Sequence, residues 1–123
     1  MQGLNKVTLI GNLGKEPELK TFEDGLTLAK FSLATSESYK DKEGKIQSLT
    51  EWHNIIAWRN LADLAAKYLH KGSRIYLEGK IKNRTYEDKD GNKRNVTEII
   101  ADTIILLDNT KEPFVKEVAK VDL

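Results

Sequence analysis

The 123-residue chain contains no cysteine, two prolines and one methionine. The absence of cysteine excludes disulfide bonds, iron–sulfur clusters, thiolate zinc sites and cysteine nucleophiles. No apolar run approaches the roughly 20 residues that are needed to cross a bilayer. The first residues also lack the basic-then-apolar layout of a signal peptide. We therefore expect a soluble intracellular protein that acts in the cytoplasm.

Neither sign of charge dominates the sequence, which has 20 Lys and Arg against 19 Asp and Glu and a net charge of +1. Overall charge therefore does not predict a polyanionic partner, and the distribution of the cations matters instead. The length predicts one domain with a single core. We place this domain at residues 1–108 and expect residues 109–123 to form a short flexible tail.

The sequence also lacks the common catalytic and metal-binding motifs. It has no phosphate-binding loop and no Gly-x-Ser-x-Gly turn. His53 and His70 lie on different elements, and no histidine pair has the spacing of a metal site. We therefore expect a protein that is not an enzyme and has no cofactor or metal. His53 is more simply interpreted as a core or interface residue than as a catalytic one.

Alternating apolar residues and Asp-Gly turns predict short antiparallel strands joined by hairpins. The polar, lysine-rich stretch at residues 36–48 is predicted to be an exposed loop between the second and third strands. The five predicted strands cover residues 5–13, 26–35, 50–58, 73–86 and 96–107.

One helix is predicted between the third and fourth strands, where the apolar spacing changes to that of an amphipathic helix. Asn60 suits the position before its first turn, and Gly72 suits its C-terminal end. The apolar residues with this spacing are Leu61, Leu64, Ala65, Tyr68 and Leu69. The order of the elements matches an all-β, five-stranded OB-fold Greek-key barrel with one helix between strands 3 and 4.

Both tryptophans lie on the third strand, where alternation places Trp52 and Trp58 on one face and His53 on the other. The tryptophans could pack in the core, because tryptophan is highly buried on average. They could also form an exposed platform for flat ligands. Alternation alone slightly favours the core.

Basic residues interleave with aromatic ones in several places, as a surface for single-stranded nucleic acid requires, since cations follow phosphates and rings stack on bases. A solvated strand face explains the basic run of the fourth strand equally well. The candidate stacking rings are Tyr39, Trp52, Trp58 and Tyr86. The candidate phosphate-binding residues are Lys40, Lys42, Arg59, Lys80, Lys82, Arg84, Lys93 and Arg94.

Several short motifs, in order along residues 4–107, closely resemble bacterial single-stranded DNA-binding proteins (the SSB family). The motifs are Asn-Lys-Val at 5–7, Gly-Asn-Leu-Gly at 11–14, Ala-Thr-Ser-Glu-Ser at 34–38, Thr-Glu-Trp-His at 50–53 and Tyr-Leu-x-Lys-Gly-Ser at 68–73. The resemblance implies an OB-fold homotetramer that wraps single-stranded DNA with little sequence preference. It implies a role in protecting DNA during replication, recombination and repair.

The resemblance also implies roles for individual residues. It assigns base stacking to the four candidate rings, with tyrosine at positions 39 and 86 where the family often has tryptophan, and tryptophan at position 58 where it has phenylalanine. It assigns subunit assembly to Asn5, Val7 and His53. The family's tail commonly ends in several aspartates and a Pro-Phe tip, whereas this sequence ends Val-Asp-Leu. The resemblance therefore gives no basis here for recruiting replication and repair enzymes.

Two other functions fit parts of the pattern. A related OB-fold accessory factor of replication restart would bind single strands while it docks on a helicase loader. A structural subunit with buried tryptophans would bind no nucleic acid. The long stretch between the second and third strands and the set of aromatic residues favour the single-stranded DNA-binding protein.

Overall fold

Five long β-strands and one helix make up most of the computed structural model, which describes residues 2–107. The predicted tail at residues 109–123 lies outside this range. The elements are β1 Val7–Leu13, β2 Glu18–Thr21, β3 Thr27–Lys40, β4 Ile46–Trp58, α1 Asn60–Tyr68, β5 Arg74–Glu87 and β6 Lys93–Leu106.

The five long strands close into a barrel in the order β1-β5-β6-β4-β3. Closure comes from the pairing of β1 with β3, through Asn12 opposite Ala34 and Leu13 opposite Leu33. The β4–β6 pair is parallel and the others are antiparallel. The short β2 pairs with the barrel-side half of β3. The predicted five-stranded OB barrel is confirmed, with one helix between the third and fourth of its long strands, β4 and β5.

The core follows from the alternation of the strands, since every second side chain of the long strands points into the barrel. Leu33, Ile55, Leu77 and Ile104 are completely buried there. The helix α1 contacts β3, β4 and β6, and its buried apolar face joins the same core. The helix therefore covers part of the barrel and leaves the outer faces of the strands open.

The loop predicted at residues 36–48 is mostly strand, because β3 continues to Lys40 and β4 begins at Ile46. The two strands extend beyond the barrel as a hairpin, which we call the arm, with a turn at residues 41–45. The Asp41 carboxylate holds this turn by accepting hydrogen bonds from the backbone N–H groups of Glu43 and Lys45 and from the Gln47 side chain. The strand residues of the arm are exposed on both faces, so its sequence carries no apolar alternation.

The predicted helix ends need correction. The residue before the first turn is Arg59, which has a positive φ of 55° and no side-chain capping bond, so Asn60 is the first helical residue. The helix stops at Tyr68, and extended Leu69 follows it. Gly72 adopts a φ of 91° in the later turn into β5, where its N–H donates to the Leu13 carbonyl at 2.9 Å.

Two glycines allow neighbouring backbones to approach closely, one at the β1–β3 closure and one in the β5–β6 pair. A Cβ added at Gly11 would overlap the carbonyl group of Ala34 on β3. A Cβ added at Gly79 would overlap the carbonyl group of Ile100 on β6. Backbone atoms cannot move aside as a side chain can, so both positions require glycine for steric reasons.

We expect Gly11→Ala to destabilise the fold by about 1–3 kcal/mol, because the new methyl group forces β1 away from β3. Urea denaturation followed by tryptophan emission measures this loss. Gly3→Ala is the matched control, since a Cβ there meets nothing within 4 Å. Equal stability of the two variants would contradict the close approach.

Candidate nucleic-acid interface

The two tryptophans are on the outside of the barrel. Trp52 is 60% exposed and Trp58 is 39% exposed, whereas Ile55 and Ala57 on the same strand are completely buried. A Cβ at Gly14 would lie 2.7 Å from Cη2 of Trp52, so the indole packs directly against this glycine. The structure therefore contradicts core packing for both tryptophans.

Strand β5 presents its predicted basic run on one face. Lys80, Lys82, Arg84 and Tyr86 alternate along the strand, and the register with β6 places Glu98 opposite Lys82. The Arg84 guanidinium lies 5.7 Å from the centroid of the Tyr86 ring, within the range of a cation–π contact. The predicted aromatic and basic residues of this strand therefore share one surface.

An open groove of about 370 Å³ connects this face of β5 with Trp58 of β4. We call it the cationic groove, because four of its lining residues are basic. Its aromatic walls are Trp58 and Phe22. The basic residues are Lys20 on β2, Lys30 on β3, and Lys82 and Arg84 on β5.

The sequence predictions missed Lys20, Lys30 and Phe22 as part of this groove. Alternation places Lys30 on the same face of β3 as Leu28, which pairs with Trp58, and this signal could have identified it. Lys20 lies on β2, whose four exposed residues have no strand signature. Phe22 follows β2 directly, and the lack of a strand pattern there also left its place in the groove unpredicted.

A buried carboxylate lies among these cations. Glu98 is 6% exposed, and its two oxygens accept hydrogen bonds from Arg84 Nε at 3.3 Å and Nη2 at 3.1 Å. The hydrogen bond from Arg84 lowers the pKa of Glu98, and the charges of Lys30 and Lys82 act in the same direction against the effect of burial. Arg84, predicted to bind phosphate, therefore already has an anionic partner.

The remaining predicted residues are spread more widely. Tyr39 is 53% exposed on the arm, but alternation along β3 places it on the opposite side of the pleat from Trp52. Exposed Lys40 and Lys42 lie at the tip of the arm. The arm therefore presents one ring and a basic tip away from the cationic groove.

The basic residues at the other hairpin and at the helix start also lie apart from the groove. Arg94 is opposite Tyr86, but its Nε donates to Asp88 at 2.8 Å. Lys93 is opposite Glu87 and points to the other face of the hairpin. Arg59 is exposed beside the start of α1.

Two of the predicted assembly residues form polar contacts inside the chain. The Asn5 side chain donates to the Ile81 carbonyl at 2.8 Å and accepts from the Ile81 N–H at 2.9 Å, which extends the β1–β5 pairing. His53 Nε2 lies 2.9 Å from Thr35 Oγ1. Val7 is half-buried against the core.

Among residues 2–107, no group of three or more His, Asp or Glu could hold a metal ion. In the same range, no helix has the length and apolar character to cross a membrane.

A closed five-stranded barrel that presents exposed rings and cations on the outer faces of its strands defines the class of OB-fold binding modules. The model of the single-strand binding protein family matches residues 4–107 of this sequence. The chain therefore belongs to the single-strand binding protein family.

Curated relatives agree with this family. The chain is 46% identical over 107 residues to single-stranded DNA-binding protein 1 of Chlorobaculum tepidum, covering 86% of this chain and 66% of that protein. It is 45% identical over 109 residues to the single-stranded DNA-binding protein of Neisseria meningitidis, covering 89% of this chain and 63% of that protein. The chain thus spans slightly less than two thirds of the length of these relatives.

Solved structures show the same fold. The Plasmodium falciparum SSB in complex with single-stranded DNA superposes with a TM-score of 0.81 at 38% identity, covering 88% of this chain and 98% of that one. A deletion mutant of the single-stranded DNA-binding protein from Thermus aquaticus superposes with a TM-score of 0.74 at 29% identity, covering 87% of this chain and 52% of that one.

The Glu98–Arg84 pair predicts a titration that can be measured. Arg84→Met should raise the pKa of Glu98, because the largest cause of its lowering is removed while burial still favours the neutral acid. NMR titration of the side-chain carboxyl carbons would show this shift. Lys93→Met is the control, since residue 93 points to the other face of the hairpin, and it should leave Glu98 unchanged.

The same pair links folding to pH. The pKa of Glu98 is lower in the folded chain than its ordinary value of 4.5. The pair therefore stabilises the fold at neutral pH, and this contribution is lost as the pH falls through the folded-state pKa. An identical Glu98 titration in the wild type and in Arg84→Met would contradict the assignment.

Proposed function

We propose that this chain binds single-stranded DNA with little sequence preference and protects it during replication, recombination and repair in the cytoplasm. The chain is a binding protein rather than an enzyme and needs no cofactor. The observation that carries this proposal is the exposed Trp58 at the wall of a groove lined by four basic side chains. The DNA-bound Plasmodium falciparum relative supports the ligand class.

The chemistry of the surface explains tolerance of sequence. Every base has a π face, so exposed rings at positions 52, 58 and 86 can stack on any of them, each at about 1–3 kcal/mol. The lysines of the cationic groove attract the phosphates, which are the same in every nucleotide. Tyr39, Lys40 and Lys42 would extend contact to the arm. Exposure of both tryptophans argues against a purely structural subunit.

We also propose that four chains assemble into a homotetramer. Strand β1 pairs with β5 along Val7–Asn12, whereas its pairing with β3 is limited to Asn12 and Leu13. Within residues 2–107, the other edge of β1 is therefore unpaired from Val7 to Ile10, and such an edge is a template for another strand. Ile10 adds an exposed apolar side chain there. Asn5 supports the edge by extending its pairing with β5, and His53 stays a predicted assembly residue.

Titration with oligo-dT tests the binding. Stacking should quench tryptophan emission, and the affinity should fall as salt rises. Trp52→Ala should weaken binding about tenfold while the melting temperature changes little, because the side chain is exposed. Trp52→Phe keeps a π face and should retain most of the affinity. Unchanged emission and no complex on a native gel would exclude the proposed function.

Analytical ultracentrifugation tests the assembly. The free protein should sediment with the mass of four 14.0 kDa chains. Ile10→Lys should lower this mass, because an ammonium group at the β1 edge opposes strand pairing between copies. Ile46→Lys, at a more exposed apolar position at the far end of the arm, should leave it unchanged. A wild-type monomer at micromolar concentration would contradict the proposal.

A further inference from the structure

An aromatic ring that is not among the four candidate stacking rings lies beside Trp58. Phe22 follows β2, and its ring stacks on Trp58 with centroids 5.9 Å apart and planes inclined by 24°. Two backbone hydrogen bonds fix the turn that follows it. Phe22 N–H donates to the Leu26 carbonyl at 2.8 Å, and Gly25 N–H donates to the Phe22 carbonyl at 2.9 Å. The ring is therefore held on a fixed backbone.

The stacked pair lines two cavities of opposite charge. One is the cationic groove, where Lys20 Nζ is 5.1 Å from the centroid of the Phe22 ring. The other is an open cleft of about 660 Å³, also lined by Phe22 and Trp58. The rest of its lining is Glu23, Asp24 and Leu26. We call this second cavity the acidic cleft.

The charge difference predicts which part of a nucleotide enters each cavity. Phosphates are attracted to the cationic groove and repelled by the carboxylates of Glu23 and Asp24. A neutral base is not repelled by these carboxylates, and two of the residues that line the acidic cleft, Phe22 and Trp58, are aromatic. Carboxylate oxygens can also accept hydrogen bonds from the amino groups of bases.

We infer that the acidic cleft is a nucleobase subsite in which Phe22 provides a stacking ring additional to Tyr39, Trp52, Trp58 and Tyr86. The phosphates of the bound DNA strand follow the cationic groove, and one base enters the acidic cleft beside the Phe22–Trp58 pair. This inference rests on the proposed binding of single-stranded DNA.

Variants of Phe22 test the subsite with oligo-dT. Phe22→Leu keeps an apolar side chain in the turn but has no π face, and it should weaken binding about tenfold with a melting temperature close to that of the wild type. Phe22→Tyr should retain the affinity. The salt dependence should stay unchanged in both, because no ionic contact is removed. Leu19→Ala, exposed on β2, is the control and should bind like the wild type.

A second measurement separates direct base contact from support of Trp58. In a Trp58→Ala background, Phe22→Leu should still weaken binding at least threefold, because the ring makes its own contact. No additional loss would show that Phe22 only supports Trp58, and this would overturn the inference. If Phe22→Leu bound oligo-dT with wild-type affinity, that would also overturn the inference. If Trp52→Ala lost affinity in the same experiment, the proposed function would remain intact. Failure of the wild type to bind would instead exclude the proposed function itself.

Discussion

Barrel closure depends on close contacts between neighbouring strand backbones at glycines, where a side chain would not fit. Gly11 faces the Ala34 carbonyl, and Gly79 faces the Ile100 carbonyl. These approaches keep β1 against β3, the pair that closes the barrel, and β5 against β6, which pairs in parallel with β4. That pairing brings the tryptophan strand beside the strand of Glu98. The binding surface is therefore a product of closure.

The electrostatics of the cationic groove are more balanced than a count of its basic residues indicates. Glu98 neutralises Arg84 and fixes its guanidinium beside the Tyr86 ring. The other basic residues that line the groove are lysines, whose ammonium groups act as point charges without a preferred geometry. Contacts of this kind suit a ligand whose backbone must be held in many registers. Arg84 stays a predicted phosphate-binding residue, with Glu98 as an anionic partner inside the chain.

Sequence patterns predicted the barrel because its strands are buried on one face, and burial leaves a period of two. The arm and β2 are exposed on both faces, so no such period marked them, and Lys20 and Phe22 were missed with them. Alternation also showed that Trp52 and Trp58 share a face without showing which face meets solvent. That choice depends on the inward direction of Ile55 and Ala57, which only the closed barrel determines. At the sequence level, only the resemblance of the short motifs to the family favoured an exposed position for the two tryptophans.

The arm also sets the reach of the molecule. With a rise of about 3.3 Å per residue, the strand from Ala34 to Lys40 projects about 20 Å beyond the point where β3 leaves β1. A barrel of fixed diameter thereby gains a contact far from its own surface. Under the proposed function, the length of single-stranded DNA that one chain can contact then depends on the length of this hairpin. Lengthening or shortening the arm in matched residue pairs would change the footprint without altering the core.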